Sequence, residues 1–301
     1  MQGVRVSPTL IIVTGPASPT LSRRVAEAAH ATSLLLEHKV FPDGETYIRF
    51  PQSVEGQEVA VIQSCYAPQN KNLVDLLFIL DTAREMGARE VAAVVPYFAY
   101  ARQDDSYRDG EAVSARTVAR LIEVTGASHF LTVDMPSNKA LRYFKIHAEN
   151  LTCMNLIGKH LKTLSLRNPY VLAPDDGAVP LAKTVSETLG TDYAWFEKAR
   201  DRVTGSVTTV GKDVDLKGCD AIIVDDVIST GKTIANTAQI AKKQGAATMI
   251  AACAHLLLVS GAEQTLKSLG VSQIIGTDSI EVGSPPVSIA PVVAEALRKI
   301  W

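Results

Sequence analysis

Two adjacent carboxylates, Asp225 and Asp226, end the apolar run Ala221-Ile222-Ile223-Val224, and Ser229-Thr230-Gly231-Lys232-Thr233 follows them. The small-residue turn opens a helical pattern. A helix start presents free backbone N–H groups and the positive end of a dipole to an anion. The hydroxyls of Ser229, Thr230 and Thr233 add donors, and Gly231 lets the backbone approach closely. The paired acids cannot also take phosphate; they suit sugar hydroxyls or a Mg2+ ion carried on the anion. Together these residues suggest a phosphorylated pentose. Gly231-Lys232-Thr233 also looks like the end of a nucleotide P-loop. That motif needs a glycine five residues before Gly-Lys, where this chain has Asp226. A plain strand–turn–helix with a solvated acid pair stays open as an alternative.

Four further clusters could carry chemistry. Phe41-Pro42-Asp43-Gly44-Glu45 is a turn signal between strand-like runs. It reads as a hairpin loop, or as Asp43 and Glu45 facing donors with Phe41 beside a flat ring. In Pro96–Asp105, three aromatics meet Arg102 and Gln103 just past a strand. Arginine suits bidentate phosphate contacts, and glutamine can read a base or a phosphate oxygen. Lys198 and Arg200 stand two apart in Glu197–Gly205, so an extended segment puts both on one side. Two such cations could stabilise charge on transferring phosphates. Asp175, in Ala173-Pro174-Asp175-Asp176-Gly177, could hold Mg2+ or a hydroxyl, or cap the helix that follows. The six histidines show no metal-ligand spacing, and no nucleophile motif is present.

The elements that position these groups alternate. Strand patterns cover Leu10–Thr14, Leu34–Val40, Glu58–Gln63, Val91–Pro96, Phe130–Val133, Tyr170–Ala173, Tyr193–Glu197, Ala221–Val224, Met249–Ala254 and Gln273–Ile275. Helical patterns cover Pro19–Ala31, Asn72–Met86, Ser114–Thr125, Asn155–Leu164, Val179–Leu189, Thr233–Gln244, Ala262–Leu269 and Val292–Lys299. Alternation of this kind predicts α/β architecture, with parallel sheets flanked by helices. Phe130–Met135 and Ala221–Asp226, both apolar runs ending in acid, suggest two similar halves divided near residues 147–152. The last helix is expected to pack back on the first half.

At 301 residues the length suggests about two domains. A net charge of −2 gives no general drive toward nucleic acid or an anionic membrane. Cys65, Cys153, Cys219 and Cys253 are widely spaced, as buried reduced thiols of a cytoplasmic protein would be. The only apolar run near the start, Leu10 to Val13, is too short for a membrane span.

In order along nearly the whole chain, these segments resemble the ribose-phosphate diphosphokinases, the synthases of 5-phosphoribosyl 1-diphosphate (PRPP). The resemblance is carried by Phe41–Glu45, Asn72–Leu77, Pro96–Gln103, Gly110–Ala115, Pro174–Gly177, Glu197–Arg200 and Val224–Thr233, and the archaeal branch is nearest. It implies two tandem type I phosphoribosyltransferase-like domains, 1–149 and 150–289, related by a pseudo-twofold, with helix 290–301 returning to the first. It also implies transfer of the β,γ-diphosphoryl group of ATP to the 1-hydroxyl of ribose 5-phosphate, with Mg2+. Asp225, Asp226, Ser229, Thr230, Gly231, Lys232 and Thr233 would bind ribose 5-phosphate. Phe41, Asp43, Gly44 and Glu45 would bind ATP from a neighbouring subunit of a homo-oligomer, and Arg102 and Gln103 would bind it on the catalytic subunit. Lys198 and Arg200 would act at the transition state, with Arg200 also touching ribose 5-phosphate, and Asp175 would serve the metal. Three positions depart from the family. Pro136 stands where a metal-site histidine is usual, Asp105 stands where a basic residue is usual, and the arginine usual near Leu181 is absent. A catalytically silent regulatory subunit and a phosphoribosyltransferase are the alternative functions.

Overall fold

The computed structural model describes residues 9–200, 207–211 and 214–301, with the backbone alone at 197–200 and 207–211. The chain divides into two compact units. One runs through Leu151 and takes back Ser279–Glu281 and Ile289–Trp301; the other holds Thr152–Asp278 and Val282–Ser288.

The first unit contains β1 (Leu10–Thr14), α1 (Pro19–Ala29), β2 (Thr32–Leu35), β3 (Glu37–Val40), β4 (Thr46–Arg49) and β5 (Glu58–Ile62). It continues with α2 (Gln69–Glu85), β6 (Glu90–Val94), α3 (Ser114–Val124), β7 (His129–Val133), a 3-10 segment (Asn138–Tyr143) and β8 (His147–Leu151). Six strands form one parallel sheet in the order β2-β1-β5-β6-β7-β8. The central strand β5 is buried from Val59 to Ile62, as expected where helices cover both faces. Helix α2 turns Leu73, Leu76, Ile79, Leu80 and Ala83 to the core at helical spacing.

The second unit contains α4 (Met154–Lys162), β9 (Tyr170–Ala173), α5 (Val179–Leu189), β10 (Tyr193–Arg200) and β11 (Val207–Gly211). It continues with β12 (Asp220–Ile228), α6 (Lys232–Lys243), β13 (Thr248–Leu256), α7 (Ala262–Ser268) and β14 (Val271–Ile275). Its sheet runs β11-β10-β9-β12-β13-β14 and is parallel except for the antiparallel edge strand β11. The last helix, α8 (Ala290–Ile300), packs on α1 and β8, and Trp301 Nε1 donates to Glu90 at 2.7 Å.

Three sequence expectations change. The run Leu34–Val40 is two strands. The stretch paired with β1 ends at Leu35, just before the buried Leu36; Glu37–Val40 then leaves the sheet and pairs antiparallel with β4 as an exposed hairpin. Strands β4, β8 and β11 were not expected; β4 and β8 are half-exposed and carry polar residues, so no apolar run marks them. The matching of Phe130–Met135 with Ala221–Asp226 is also wrong. With β8 and the antiparallel edge strand β11 set aside, both sheets share the strand order 2-1-3-4-5. By that count β12 is the third strand, and its counterpart is β5 rather than β7.

All four cysteines are free thiols, three of them buried. No helix among the described residues is long and apolar enough to cross a membrane.

The junction after β1 is tight. The Gly15 N–H donates to the Ile62 carbonyl at 2.9 Å, and a Cβ on Gly15 would lie 2.4 Å from that oxygen. Backbone cannot yield there as a side-chain tip can. Gly15→Ala is therefore expected to lower stability by about 1–3 kcal/mol, read as a lower urea midpoint for the first unit.

Candidate active site

In the second sheet β9 and β12 are neighbours, with Leu172 opposite Ile223. From β9 the chain proceeds to β10 on one side; from β12 it proceeds to β13 on the other. Connections that depart in opposite directions leave a crevice beyond the carboxyl ends of the two strands. Asp175 lies two residues past β9, and Asp225 and Asp226 lie on β12.

Strand β12 runs on to Ile228 instead of ending at Val224. The reason is its neighbour: β13 continues alongside, pairing Asp225 with Cys253, Val227 with His255 and Ile228 with Leu256. The acids are therefore held by a ladder rather than a loop. Asp225 Oδ1 accepts the Asp226 N–H at 2.9 Å, and Asp226 Oδ1 accepts the Val227 N–H at 2.6 Å. Burial, and then the negative charges of Asp226 and Asp175, push the Asp225 carboxyl well above the usual carboxylate range. Asp175 thus shares one electrostatic field with the acid pair. It also caps the following turn, its Oδ1 accepting the N–H groups of Gly177 at 3.1 Å and Ala178 at 3.3 Å.

After β12 the backbone turns through Gly231, whose φ of 72° is the left-handed conformation that favours glycine. Helix α6 starts there, with the Ala235 N–H on the Gly231 carbonyl at 2.8 Å. The stretch between β13 and α7 anchors the turn: Leu257 and Leu258 donate to Ile228 O at 3.0 and 3.1 Å, and Val259 donates to Ser229 O at 3.1 Å. Thr230 and Lys232 are exposed; Ser229 and Thr233 are half-buried. This is a fixed turn of hydroxyls and a helix start beside two acids.

The equivalent crevice of the first unit, between β1 and β5, is filled. Gln63 Oε1 accepts the Ala17 N–H at 2.9 Å, and Gln63 Nε2 donates to Asn72 O at 3.1 Å. The Ser64 N–H donates to Ser18 Oγ at 2.9 Å. No acid ends β5, so the two units share a topology but not a site.

The first unit carries the remaining candidates. Phe41–Glu45 is the turn of the β3–β4 hairpin, closed by the Phe41 N–H on Glu45 O at 2.8 Å and the Gly44 N–H on Phe41 O at 2.9 Å. Asp43 Oδ1 accepts the Glu45 N–H at 3.2 Å. Lys39 Nζ sits 4.7 Å over the Phe41 ring, and the ring itself is partly exposed. Arg102 and Gln103 are exposed in the loop after β6 and line a cavity of about 420 Å3 with Asp105, Tyr107 and Glu111. Gln103 is partly occupied, because Ser114 Oγ donates to its Oε1.

Sequence reasoning missed Arg142 and Tyr143. Arg142 Nη2 donates to Asp104 O at 3.3 Å and to Asp105 Oδ2 at 3.2 Å, and Tyr143 Oη donates to Asp104 O at 2.8 Å. The Ser106 N–H, and then Arg142, hold the Asp105 carboxyl below its usual range. The Asp105 carboxylate is thus paired by a guanidinium from a segment more than thirty residues away, and no local pattern could reveal it. Pro136, just past β7, is exposed and offers no ligand. His147 does not replace the missing histidine. It pairs with His129 at the start of β7, four residues before that strand's carboxyl end, roughly 13 Å away. The backbone at Lys198 and Arg200 lies on β10, opposite Thr209 and Val207; their side chains lie outside the described residues.

Two family models match the chain: the N-terminal domain of ribose phosphate pyrophosphokinase over residues 10–126, and the phosphoribosyl transferase domain over residues 140–284. A ribose-phosphate pyrophosphokinase of Sulfolobus acidocaldarius is 40% identical, covering 97% of this chain and 100% of that one. One of Methanothermobacter thermautotrophicus is 39% identical over 96% of this chain and 100% of its own. The crystal structure of phosphoribosylpyrophosphate synthetase from Mycobacterium smegmatis superposes with a TM-score of 0.85 at 30% identity, covering 97% of this chain and 98% of that one.

A buried carboxylate whose ionisation is opposed by burial and by like charge costs stability while it is charged. Asp225→Asn is expected to raise the thermal midpoint of the metal-free, ligand-free protein by a few degrees, at about 2–4 °C per kcal/mol. The gain should be largest at alkaline pH. It should vanish as acid neutralises Asp225 in the folded and then the unfolded state.

Proposed function

The chain belongs to the ribose-phosphate pyrophosphokinase family, and we propose that it transfers the β,γ-diphosphoryl group of ATP to the 1-hydroxyl of ribose 5-phosphate, giving PRPP and AMP. The observation that carries this reading is the acid pair Asp225/Asp226 beside the anchored Ser229–Thr233 turn, a combination suited to a pentose that bears a phosphate.

In this proposal the N–H groups and hydroxyls of Ser229, Thr230, Gly231 and Thr233, with Lys232, bind the 5-phosphate, and Asp225 and Asp226 bind the ribose hydroxyls. Phe41, Asp43, Gly44 and Glu45 bind the adenosine part of ATP for a neighbouring subunit, so the active form is a homo-oligomer. The cation over one face of Phe41 fits a ring that offers its edge or its other face to a base. Arg102 and Gln103 bind ATP on the catalytic subunit. The 1-hydroxyl oxygen bonds to the β-phosphorus as the α,β-bridging oxygen departs with AMP, and the hydroxyl proton is released. No protein nucleophile is needed. Alignment and charge stabilisation suffice, and Lys198 and Arg200 supply the latter.

The donor set fits Mg2+. Asp175 would be its hard oxygen ligand, beside the negative charges of Asp225 and Asp226. Mg2+ is commonly held by one or two carboxylates together with substrate phosphates. When bound, it would offset the charge of the transferring phosphates.

Incubation with ATP, ribose 5-phosphate and Mg2+ should yield AMP and PRPP in equal amounts. A folded protein that binds ribose 5-phosphate and yields neither would be a silent member of the family. Lys198→Ala is expected to lower kcat about a hundred- to a thousandfold while ribose 5-phosphate binding, measured by calorimetry, stays within twofold. Unchanged turnover would remove Lys198 from the mechanism.

A further inference from the structure

A second charged concavity in the first unit has no part in the proposed reaction. It measures about 590 Å3 and is lined by Arg116, Arg120 and Glu123 of α3 and by Arg142, Tyr143 and Lys145. We propose that it binds a compact polyphosphate anion, one with two or more linked phosphate groups.

Four cations face one carboxylate there, in a chain whose net charge is −2. Glu123 offsets only one of the four charges, and its Oε1 is held by the backbone N–H groups of Lys145 and Ile146. Arg142 is engaged by Asp105 and stacks on the Tyr143 ring. The side chains of Arg116, Arg120 and Lys145 have no hydrogen-bond or ion-pair partner among the described residues. Arg116 and Arg120 are one helical turn apart, with Cβ atoms about 5–6 Å from each other, a spacing at which like charges repel. An anion between them relieves that repulsion.

The class of anion follows from the donors. Guanidinium forks match pairs of phosphate oxygens, and binding through two arginines and a lysine spread over two segments needs an anion with more than one phosphate. The concavity is local rather than a long basic stripe, and Tyr143 is its sole aromatic, already covered by Arg142. Both points favour a small ligand over a nucleic-acid strand, which would use a continuous groove with several stacking rings.

The test uses the full chain with its nucleotide sites saturated by a non-hydrolysable ATP analogue, so that binding to the ATP residues does not register. Inorganic tripolyphosphate is titrated by calorimetry at low ionic strength. The wild type should still bind it, and Arg116→Ala/Arg120→Ala should weaken that binding by about tenfold or more. The KM for ATP and the kcat of the double variant should stay within twofold of wild type, which also shows that it folds. Arg116→Lys/Arg120→Lys keeps the charge and should recover part of the affinity. Arg142 is left intact because it also holds the Asp104–Asp105 backbone. The proposal is overturned by absence of binding once the nucleotide sites are filled, by equal affinity in the alanine variant, or by binding of a single-stranded oligonucleotide but not of tripolyphosphate.

Discussion

Everything at the candidate site depends on one constraint of the second sheet. Two hydrogen-bonded parallel strands, β9 and β12, send the chain onward in opposite directions. Right-handed crossovers then put the following helices on opposite faces of the sheet, and a crevice opens where the strands end. Asp175 comes to it from one strand, and Asp225 with Asp226 from the other. The ladder to β13 carries β12 past the acids, so the carboxylates are held by backbone pairing and cannot relax apart. The displaced ionisation of Asp225 is the consequence: like charges and burial are imposed by the sheet, and a dication or sugar hydroxyls would relieve them.

The first unit shows that the topology alone does not make a site. It repeats the 2-1-3-4-5 order over five of its six strands, yet Gln63, Ser64 and Ser18 fill the corresponding crevice with hydrogen bonds. A Cβ on Gly15 would collide with the Ile62 carbonyl in the same place. One crevice is lined by acids, and the other is filled by hydrogen-bonded Gln63, Ser64 and Ser18. The first unit instead presents the β3–β4 hairpin and the Arg102–Asp105 loop, the two segments the proposal gives to the nucleotide.

Much of this was legible in the sequence, and the parts that were not share a physical cause. The buried strands β1, β5, β6, β9, β12 and β13 are continuous apolar runs, and helices such as α5 show their full period, so both were found. Strands β4 and β8 are half-exposed and polar, so they leave no such trace. The end of β12 is not legible, because acids look like a strand terminus until a neighbouring strand is known to continue beside them. The turn Ser229–Thr233 was identifiable from residue types alone. The pairing of Arg142 with Asp105 was not, because it joins positions far apart in sequence and follows no periodicity. At Pro136 the family's ligand is missing, and His147 lies at the wrong end of its strand to supply one.

The most direct measurement follows an isotope. ATP carrying radioactive phosphorus at the β position is incubated with ribose 5-phosphate, Mg2+ and the protein, and the products are resolved by chromatography. If the acid pair and its turn hold the acceptor and the diphosphoryl group moves as one unit, the label appears in PRPP and the nucleotide product is AMP. Label retained in ADP, with a single phosphate added at the sugar's 1-position to give a ribose bisphosphate, or no transfer by a protein that binds both substrates, would contradict that mechanism.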